Sequence, residues 1–396
     1  MTGNTPLSIQ RDEFTRQAAC ILQISRFLLI IRHLKNGGSQ YTHPMKALLP
    51  VARAIKTTIA VLIITCLLLE AALRLYHFVN PLFVFPDNSD NRFRGKPYGA
   101  DYDFTLNSKG FKDVEFRGEK VNGIRRLVGI GDSFVFGTVP YEYNFLTVFE
   151  EEWNRLQTAS PVEVFNMGIP GTSPRQYLSV LIKDALPLEP DAALVFIYIG
   201  NDFIESSKKP LLQHSFVVAA GKFVWDFMRH LEGGVTPHSR TSQYQDDAAT
   251  LSVDKFLEIE IGRSDIYALD SKLLEERLPR VMYFVDEIHR VCKEKDIALY
   301  IVLIPDEVQT DPQLQQDVLT ALHLSHDELD FDLPNTRLAQ ELQGRGIKHL
   351  DLLPAFKGAS KERRLYIPRN THWNIEGNRL AASLLIDFLR HEFSTS

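Results

Sequence analysis

The stretch Gly131-Asp132-Ser133-Phe134 follows the apolar run IRRLVGI at 124–130. The run is typical of a buried central strand, and a glycine directly after it permits a sharp turn. A serine just past a parallel strand exposes its hydroxyl at the carboxyl edge of the sheet, where α/β folds bind ligands. Because serine alone is a weak nucleophile, Ser133 becomes a candidate only with a base and oxyanion donors.

Outward from this turn, short apolar runs alternate with amphipathic stretches. Strands are predicted at 124–130, 162–166, 192–199, 298–304 and 348–352, and helices at 144–157, 174–186, 272–295, 335–343 and 374–392. This rhythm predicts an α/β fold with three α/β/α layers and a mostly parallel five-stranded sheet.

The composition of the chain argues against several classes of function. The chain has 396 residues, 44% of them hydrophobic, with a net charge of -6. That charge does not favour a nucleic-acid partner. Three scattered cysteines indicate neither a disulfide framework nor a zinc site, and no metal-ligand motif is present.

Residues 57–79 form an apolar segment interrupted only by Glu70 and Arg74. It is long enough to span a bilayer, for which roughly 20 residues suffice. A buried core helix and a signal peptide are the less favoured interpretations. Basic residues just before the segment favour a cytoplasmic N-terminus, so we expect a single-pass inner-membrane protein with an extracytoplasmic catalytic domain.

These observations predict four parts. Residues 1–56 form an N-terminal cytoplasmic segment, whose first 44 residues are either an over-extended start or a flexible piece. Residues 57–79 form the transmembrane anchor, 80–104 a linker rich in Pro, Asp, Asn and Gly, and 105–393 the main domain. An insertion at about 203–270 interrupts this domain. It is either a lid or substrate-binding element or a surface excursion with a small core of its own.

Four short blocks lie at predicted strand ends or before the last helix: GDSFVFG at 131–137, NMGIPGTS at 166–173, GND at 200–202 and THWN at 371–374. Any one could be an ordinary turn. In this order, the blocks resemble those of the SGNH (GDSL-type) hydrolases over residues 105–393, including a branch of membrane-anchored bacterial proteins related to polysaccharide O-acetyl esterases and acetyltransferases. The resemblance implies a flavodoxin-like sheet.

It also implies roles for single residues. Ser133 is expected to be the nucleophile and His372 the general base. The oxyanion hole is expected to consist of the Ser133 and Gly171 backbone amides and the Asn201 side chain, with Gly171 preferred to Gly168. Acyl transfer requires these three kinds of group.

The chain departs from the family beside His372. The family has an aspartate two or three residues before the histidine, whereas this chain has Asn370 and Arg369. We predict Asn370 as the orienting residue, since asparagine can hold an imidazole without bringing charge. Three possibilities stay open: a slower Ser-His-Asn enzyme, a dyad with a distant acid such as Asp351 or Asp202, or a lapsed enzyme that still binds ligand.

The expected function is therefore that of a membrane-anchored serine esterase or O-acyltransferase acting on O-acyl esters, above all O-acetyl esters of cell-envelope glycans. The alternative is an SGNH-fold protein of weak or no activity that binds glycan or an assembly partner. No cofactor is implied. The expected partners are an O-acylated small molecule or glycan and, through one helix, the membrane; the oligomeric state does not follow from the sequence.

Overall fold

The computed structural model describes residues 44–79, 94–95, 97–156, 160–205, 215–218, 220–221 and 243–394. The first element is the helix Pro44–Val79. Within it, Arg53–Tyr76 has a mean hydropathy of 2.2, and the most apolar part of this segment is not buried. By length and composition this helix could cross a membrane. Of the predicted N-terminal segment 1–56, residues 44–56 form the first part of this helix, and residues 1–43 lie outside the described residues.

The main sheet has five parallel strands: β3 (Arg125–Gly131), β4 (Val162–Gly168), β5 (Ala192–Tyr198), β6 (Ala298–Ile304) and β7 (Lys348–Asp351). Their order across the sheet is β4-β3-β5-β6-β7. With β3 as the first strand, this is the flavodoxin-like order 2-1-3-4-5. The predicted fold class is confirmed, and each strand lies within two residues of its predicted bounds.

Helices cover both faces of the sheet because the central strand is apolar on both sides. In β5, Ala193, Val195 and Ile197 join one core, while Leu194 and Phe196 join the other. The first core lies against Pro174–Val180 and Lys272–Glu294. The second lies against Phe145–Leu156 and Ile375–Ser394. A strand buried on both faces is characteristic of a parallel sheet.

Some helices differ from their predicted bounds or were not predicted. The predicted helix 174–186 ends its α-helical part at Val180 and continues as a π turn and a 3₁₀ turn. Helices absent from the prediction include Ser133–Phe136, Asp202–Glu205, Val253–Arg263, Glu307–Thr310, Pro312–Leu322 and Leu353–Ala359. Val253–Arg263 lies in the predicted insertion, yet it buries Phe256 in the first core. Part of that insertion is therefore core structure.

A small hairpin precedes the sheet. Its strands β1 (Ala100–Asp101) and β2 (Phe104–Thr105) pair antiparallel, within and just after the stretch predicted as linker. Asp101 lies 2.6 Å from the ammonium of Lys112, and both side chains are fully buried. Lys112 also donates to the carbonyl oxygens of Gly137 and Val139. The hairpin is thereby joined to the chain that follows Ser133.

Candidate active site

The nucleophile turn is built by close packing. β3 ends at Gly131, and a Cβ there would lie 2.4 Å from Val135 Cγ2, so only glycine fits. The short helix Ser133–Phe136 begins at once, and the Asp132 carboxylate accepts the backbone N–H of Phe134 at 2.9 Å. Asp132 and Phe134 are buried, whereas Ser133 is half-buried. The turn therefore presents the serine hydroxyl and buries its neighbours.

Neighbouring asparagines hold this helix in place. The carbonyl oxygen of Val135 accepts from Asn166 Nδ2 at 2.8 Å and from Asn144 Nδ2 at 3.0 Å. On the same side, Gly168 lies so close that a Cβ would come within 2.1 Å of the Phe136 nitrogen. Asn166 and Gly168, both in the second block, thus have structural roles that support the position of Ser133.

His372 forms a hydrogen bond with Ser133. Its Nε2 lies 2.8 Å from Ser133 Oγ, although the two residues are 239 positions apart in the sequence. The imidazole lies against the ring of Phe134, with the ring centroids 5.0 Å apart. His372 lies in a turn between Tyr366 and Trp373, which pair with each other, and the final helix begins at Ile375.

The other imidazole nitrogen faces Asn370. His372 Nδ1 lies 2.9 Å from Asn370 Oδ1 and 3.0 Å from the Asn370 carbonyl oxygen. Both partners are acceptors, so Nδ1 must carry the proton. Nε2 of the neutral ring is then an acceptor, and it receives the Ser133 hydroxyl proton in the hydrogen bond. This is the tautomer that a general base requires.

The amide of Asn370 is oriented by the insertion. Its Nδ2 donates to Thr250 Oγ1, 120 residues earlier in the chain, so Oδ1 faces the imidazole. The backbone nitrogens of Thr250 and Leu251 donate to the carbonyls of Pro368 and Arg369 at 3.3 and 3.2 Å. The segment 243–251 therefore supports the histidine turn, a contact that no local sequence pattern indicates.

Two non-glycine residues around Asn370 have positive φ. Arg369 is at +49° and Thr371 at +68°. Such conformations cost side-chain-bearing residues on the order of 1–3 kcal/mol each, and they persist where surrounding contacts hold them. Arg369 Nε donates to the Leu251 carbonyl at 2.7 Å, which provides one such contact.

The predicted oxyanion residues come from two further strand ends. Gly171 follows β4 and has a φ of +71°, which glycine adopts without penalty. Asn201 follows β5 and is half-buried. The preceding residue must be glycine, since a Cβ at Gly200 would lie 2.4 Å from Tyr198 Oη and 2.8 Å from Asp306 Oδ2. The carboxyl ends of three adjacent strands thus carry Ser133, Gly171 and Asn201.

Asp132 and Asn201 are neighbours beneath this edge. The Asn201 side chain forms a hydrogen bond with Asp132, while burial raises the pKa of the Asp132 carboxyl to about 6. Within the described residues, Asp132 Oδ2 and Asn201 Oδ1 are buried without a hydrogen-bond donor. The Asp132 carboxyl also interacts with the positive charge of Arg263, which lowers its pKa.

Arg263 belongs to a buried polar network that the sequence reasoning missed. Its guanidinium donates to Tyr198 Oη at 2.9 Å, Asp306 Oδ1 at 3.2 Å and Glu260 Oε1 at 3.3 Å. Burial and the charge of Asp306 raise the pKa of Glu260 well above its usual range. The network joins Val253–Arg263 to the ends of β5 and β6. The only signal in the sequence is the position of Asp306 two residues after the end of an apolar strand.

The two distant acids considered from the sequence are bound elsewhere. Asp351 accepts from Asn335 Nδ2 at 2.8 Å and from the Leu353 nitrogen at 3.0 Å. Asp202 accepts from the Tyr177 hydroxyl at 3.0 Å and from the Tyr198 nitrogen at 2.9 Å. Within the described chain, no group of three or more His, Cys, Asp or Glu side chains could hold a metal ion.

Comparison with protein families gives one match. Residues 267–396 match the model of the SGNH hydrolase-like domain of the acetyltransferase AlgX type. The match confirms the resemblance over about the last third of the chain, which includes the histidine turn. Ser133, Gly171 and Asn201 of the SGNH-like blocks lie outside the matched residues.

Several solved structures are similar to this chain. An acetyl xylan esterase, AlAXEase, is 14% identical, with a TM-score of 0.37, over 66% of this chain and 98% of its own. A catalytic mutant of the acetylxylan esterase Axe2 from Geobacillus stearothermophilus is 15% identical, with a TM-score of 0.39, over 67% and 94%. A lipase/acylhydrolase from Enterococcus faecalis is 15% identical, with a TM-score of 0.35, over 68% and 96%. No curated protein matches the chain.

Proposed function

We propose that this protein is an SGNH-type serine esterase or O-acyltransferase that acts on O-acetyl esters through an acyl-enzyme. The observation that carries the proposal is the hydrogen-bonded series from Ser133 Oγ to His372 Nε2, at 2.8 Å, and from His372 Nδ1 to Asn370 Oδ1, at 2.9 Å. A nucleophile, a base and a group that orients the base are the parts that serine acyl transfer requires.

In the first half-reaction, Ser133 Oγ attacks the acyl carbonyl carbon while His372 Nε2 takes the hydroxyl proton. The tetrahedral intermediate then collapses, the carbon–oxygen bond to the alcohol breaks, and His372 returns the proton to the departing alcohol oxygen. In the second half-reaction, water or a second alcohol attacks the acyl-enzyme, with His372 again taking and returning one proton. Water completes a hydrolysis, and a sugar hydroxyl completes a transfer.

The negative charge of both tetrahedral intermediates needs donors near the carbonyl oxygen. We assign this role to the backbone N–H groups of Ser133 and Gly171 and to the side-chain amide of Asn201. Removing one such donor in a serine protease costs about 2.7–4 kcal/mol of transition-state stabilisation. The location of the three groups at adjacent strand ends supports this assignment.

Asn370 brings no negative charge to stabilise the imidazolium that forms during proton transfer. Its two oxygen atoms nevertheless fix the ring and accept the Nδ1 proton. The corresponding aspartate-to-asparagine change in a serine protease lowers turnover roughly 10⁴-fold, because asparagine there selects the wrong tautomer. Here Thr250 holds the amide so that Oδ1 faces the ring, which selects the tautomer that catalysis needs. We therefore propose a working Ser-His-Asn site.

Three further parts of the proposal rest on observations outside the site geometry: the ester is an acetyl ester, its alcohol is a glycan, and the protein is anchored in a membrane. The acetyl group is supported by the matched family, whose model is that of an acetyltransferase. The membrane anchor is supported by the apolar helix Arg53–Tyr76. The family match and the apolar helix, together with the charge bias around this helix, favour an extracytoplasmic domain that modifies O-acetylated cell-envelope glycans.

The test uses the full chain in detergent and a fluorophosphonate probe, which labels activated serines. Wild-type protein is expected to be labelled between pH 6 and 9 and to release acetate from 4-nitrophenyl acetate, and Ser133→Ala is expected to lose both properties. Folded wild-type protein that is not labelled anywhere in this range would overturn the enzyme proposal. It would favour the alternative, a non-catalytic protein that binds glycan or an assembly partner, for which the uncharged Asn370 is the supporting observation.

A further inference from the structure

A cavity of about 450 Å³ opens beside the histidine turn. Residues 243–245 and 248–250 line one side of it, and Tyr102, Thr138, Ile367 and Asn370 line the rest. Pockets of roughly 300–1,000 Å³ are of the size that small ligands occupy. Thr138 lies two residues after the helix Ser133–Phe136, and Asn370 lies two residues before His372. The cavity is therefore lined by residues that are close in sequence to both Ser133 and His372.

Two tyrosines form an aromatic corner in this cavity. The rings of Tyr102 and Tyr244 meet edge to face, with centroids 5.5 Å apart and planes at 84°. Each hydroxyl is engaged: Tyr102 donates to the Thr138 carbonyl at 3.0 Å, and Tyr244 donates to Asp246 Oδ1 at 2.6 Å. Asp246 Oδ1 also accepts the backbone N–H of Ile375 at 3.1 Å, at the start of the final helix. The corner is thus fixed to the chain after Ser133, at Thr138, and to the chain after His372, at Ile375.

Apart from Ala248, Ala249 and Ile367, the rest of the lining is polar and neutral. It includes the amides of Gln243, Gln245 and Asn370 and the hydroxyls of Thr138 and Thr250. None of the described residues that line the cavity is charged. Amides and hydroxyls both donate and accept, which suits a ligand rich in hydroxyl groups. Among the described lining residues, a carboxylate or phosphate would find no cationic side chain to pair with.

The cavity shares a residue with the catalytic series. Asn370 lines the cavity and, through Oδ1, lies 2.9 Å from His372 Nδ1. Its amide nitrogen is bound by Thr250, which is another lining residue. A ligand in this cavity therefore contacts the group that orients the proposed general base.

We infer that this cavity is the subsite for the alcohol part of the ester, and that it takes a neutral carbohydrate rather than an anionic one. Tyr102 and Tyr244 supply apolar ring surface for a sugar, and the amides and hydroxyls bind its hydroxyl groups. The inference rests on the proposed acyl transfer and names the substrate class that this site selects. Tyr244 is a specificity residue in this account, because its ring faces the sugar and not the acetyl group.

The kinetic test compares two acetate esters on the full chain in detergent: acetylated xylopentaose and 4-nitrophenyl acetate, which has no sugar. For Tyr244→Ala, the ratio of kcat/KM for the sugar ester to that for the aryl ester is expected to fall about two- to twelvefold, mainly through a higher KM, if the lost aromatic contact is worth about 0.5–1.5 kcal/mol. Tyr283→Ala is the matched control, an exposed tyrosine on the helix Lys272–Glu294. The control ratio should equal that of wild type.

A binding measurement separates this inference from the proposed function. Ser133→Ala is titrated with unacetylated xylopentaose and, in parallel, with a pentamer of galacturonate, using saturation-transfer NMR. Binding of the neutral sugar that is lost in Ser133→Ala/Tyr244→Ala supports the subsite, even if wild type hydrolyses neither ester. Hydrolysis of both esters with an unchanged Tyr244→Ala ratio overturns the subsite and leaves the esterase standing. Tighter binding of the galacturonate overturns the neutral-ligand inference.

Discussion

The two sides of the proposed catalytic pair are held in different ways. Ser133 sits on a turn fixed by backbone packing, where Gly131 and Gly168 leave no room for a side chain. His372 sits on a turn with two positive-φ residues, and its partner Asn370 is held by a side-chain hydrogen bond from a distant segment. The family match covers the histidine side, and the departure from the family pattern lies on that same side.

The difference teaches where this site can be tuned. A turn fixed by close packing tolerates almost no change, because any added atom meets backbone or buried side chains. A turn held by hydrogen bonds can be altered one bond at a time. We therefore expect substitutions on the serine side to abolish activity, and substitutions on the histidine side to raise or lower it by intermediate amounts.

The largest effect is expected at the nucleophile itself. Ser133→Ala should lower kcat for 4-nitrophenyl acetate by about 10⁶-fold, the size of loss seen when a serine nucleophile is removed from a protease. Acetate release at pH 7.5 is the measurement. Circular dichroism should show unchanged folding, because the half-buried hydroxyl loses only its bond to His372. Substantial residual turnover would assign the nucleophile elsewhere.

A smaller loss is expected at the oxyanion side chain. Asn201→Ala should reduce kcat about 10²- to 10³-fold with little change in KM, since the amide is proposed to act only on the transition state. The matched control is Asn154→Ala, because Asn154 binds Val162 at the opposite, amino-terminal edge of the sheet. Equal losses in both variants would show that the effect is structural.

On the histidine side, the expected change is a gain. Asn370→Asp should raise kcat at least about tenfold, because a carboxylate at this position stabilises the imidazolium. Thr250 can rotate its hydroxyl to donate to the new carboxylate, so the turn need not rearrange. For Asn370→Ala, kcat should be lower than that of the wild-type protein. If Asn370→Asp leaves the rate unchanged, the orienting role belongs to another group.

The smallest expected effect concerns stability and involves three carboxyl groups on the serine side of the site. Burial raises the pKa of Asp132 to about 6, and that of Asp113 and Glu150 to about 7. The folded protein then holds protons that the unfolded chain releases. Their stabilising contribution is complete below about pH 4 and is lost as the pH rises through 6 to 7. We expect Tm in detergent to fall by a few degrees between pH 5 and pH 8.

Glu150→Gln tests this expectation, because the variant should reduce the dependence of Tm on pH. Its neighbour Glu151 is exposed, so Glu151→Gln should leave the dependence as in wild type. Each unit by which a pKa is raised corresponds to about 1.4 kcal/mol at most. A Tm that increases from pH 5 to pH 8 would contradict this account.

Much of the fold could be predicted because the strands are short apolar runs bounded by turn residues. All five lie where the sequence indicated. The ends of β3, β4 and β5 carry three of the four blocks, and the fourth lies just before the final helix. The short helices Glu307–Thr310 and Leu353–Ala359 were missed, because a single turn or two carries too little periodicity to be recognised.

The supporting residues were harder to predict for a different reason. Thr250, Arg263 and Lys112 act through partners that are far away in the sequence or through backbone carbonyls, and no local spacing indicates such contacts. Thr250 lay in a stretch interpreted as a lid or surface excursion, yet it binds Asn370. Residues 206–214, 219 and 222–242 of the predicted insertion lie outside the described residues.

The buried pair of Lys112 and Asp101 has a practical consequence for shortening the chain. A version cut at the predicted domain start, residue 105, would delete Asp101 and leave the Lys112 ammonium buried without its counter-charge. Such a loss typically costs about 3–5 kcal/mol, a large fraction of the stability of a domain. The cut would also delete Arg94, which pairs with Asp184 at 2.7 Å. A soluble version for crystallisation should therefore begin before Arg94.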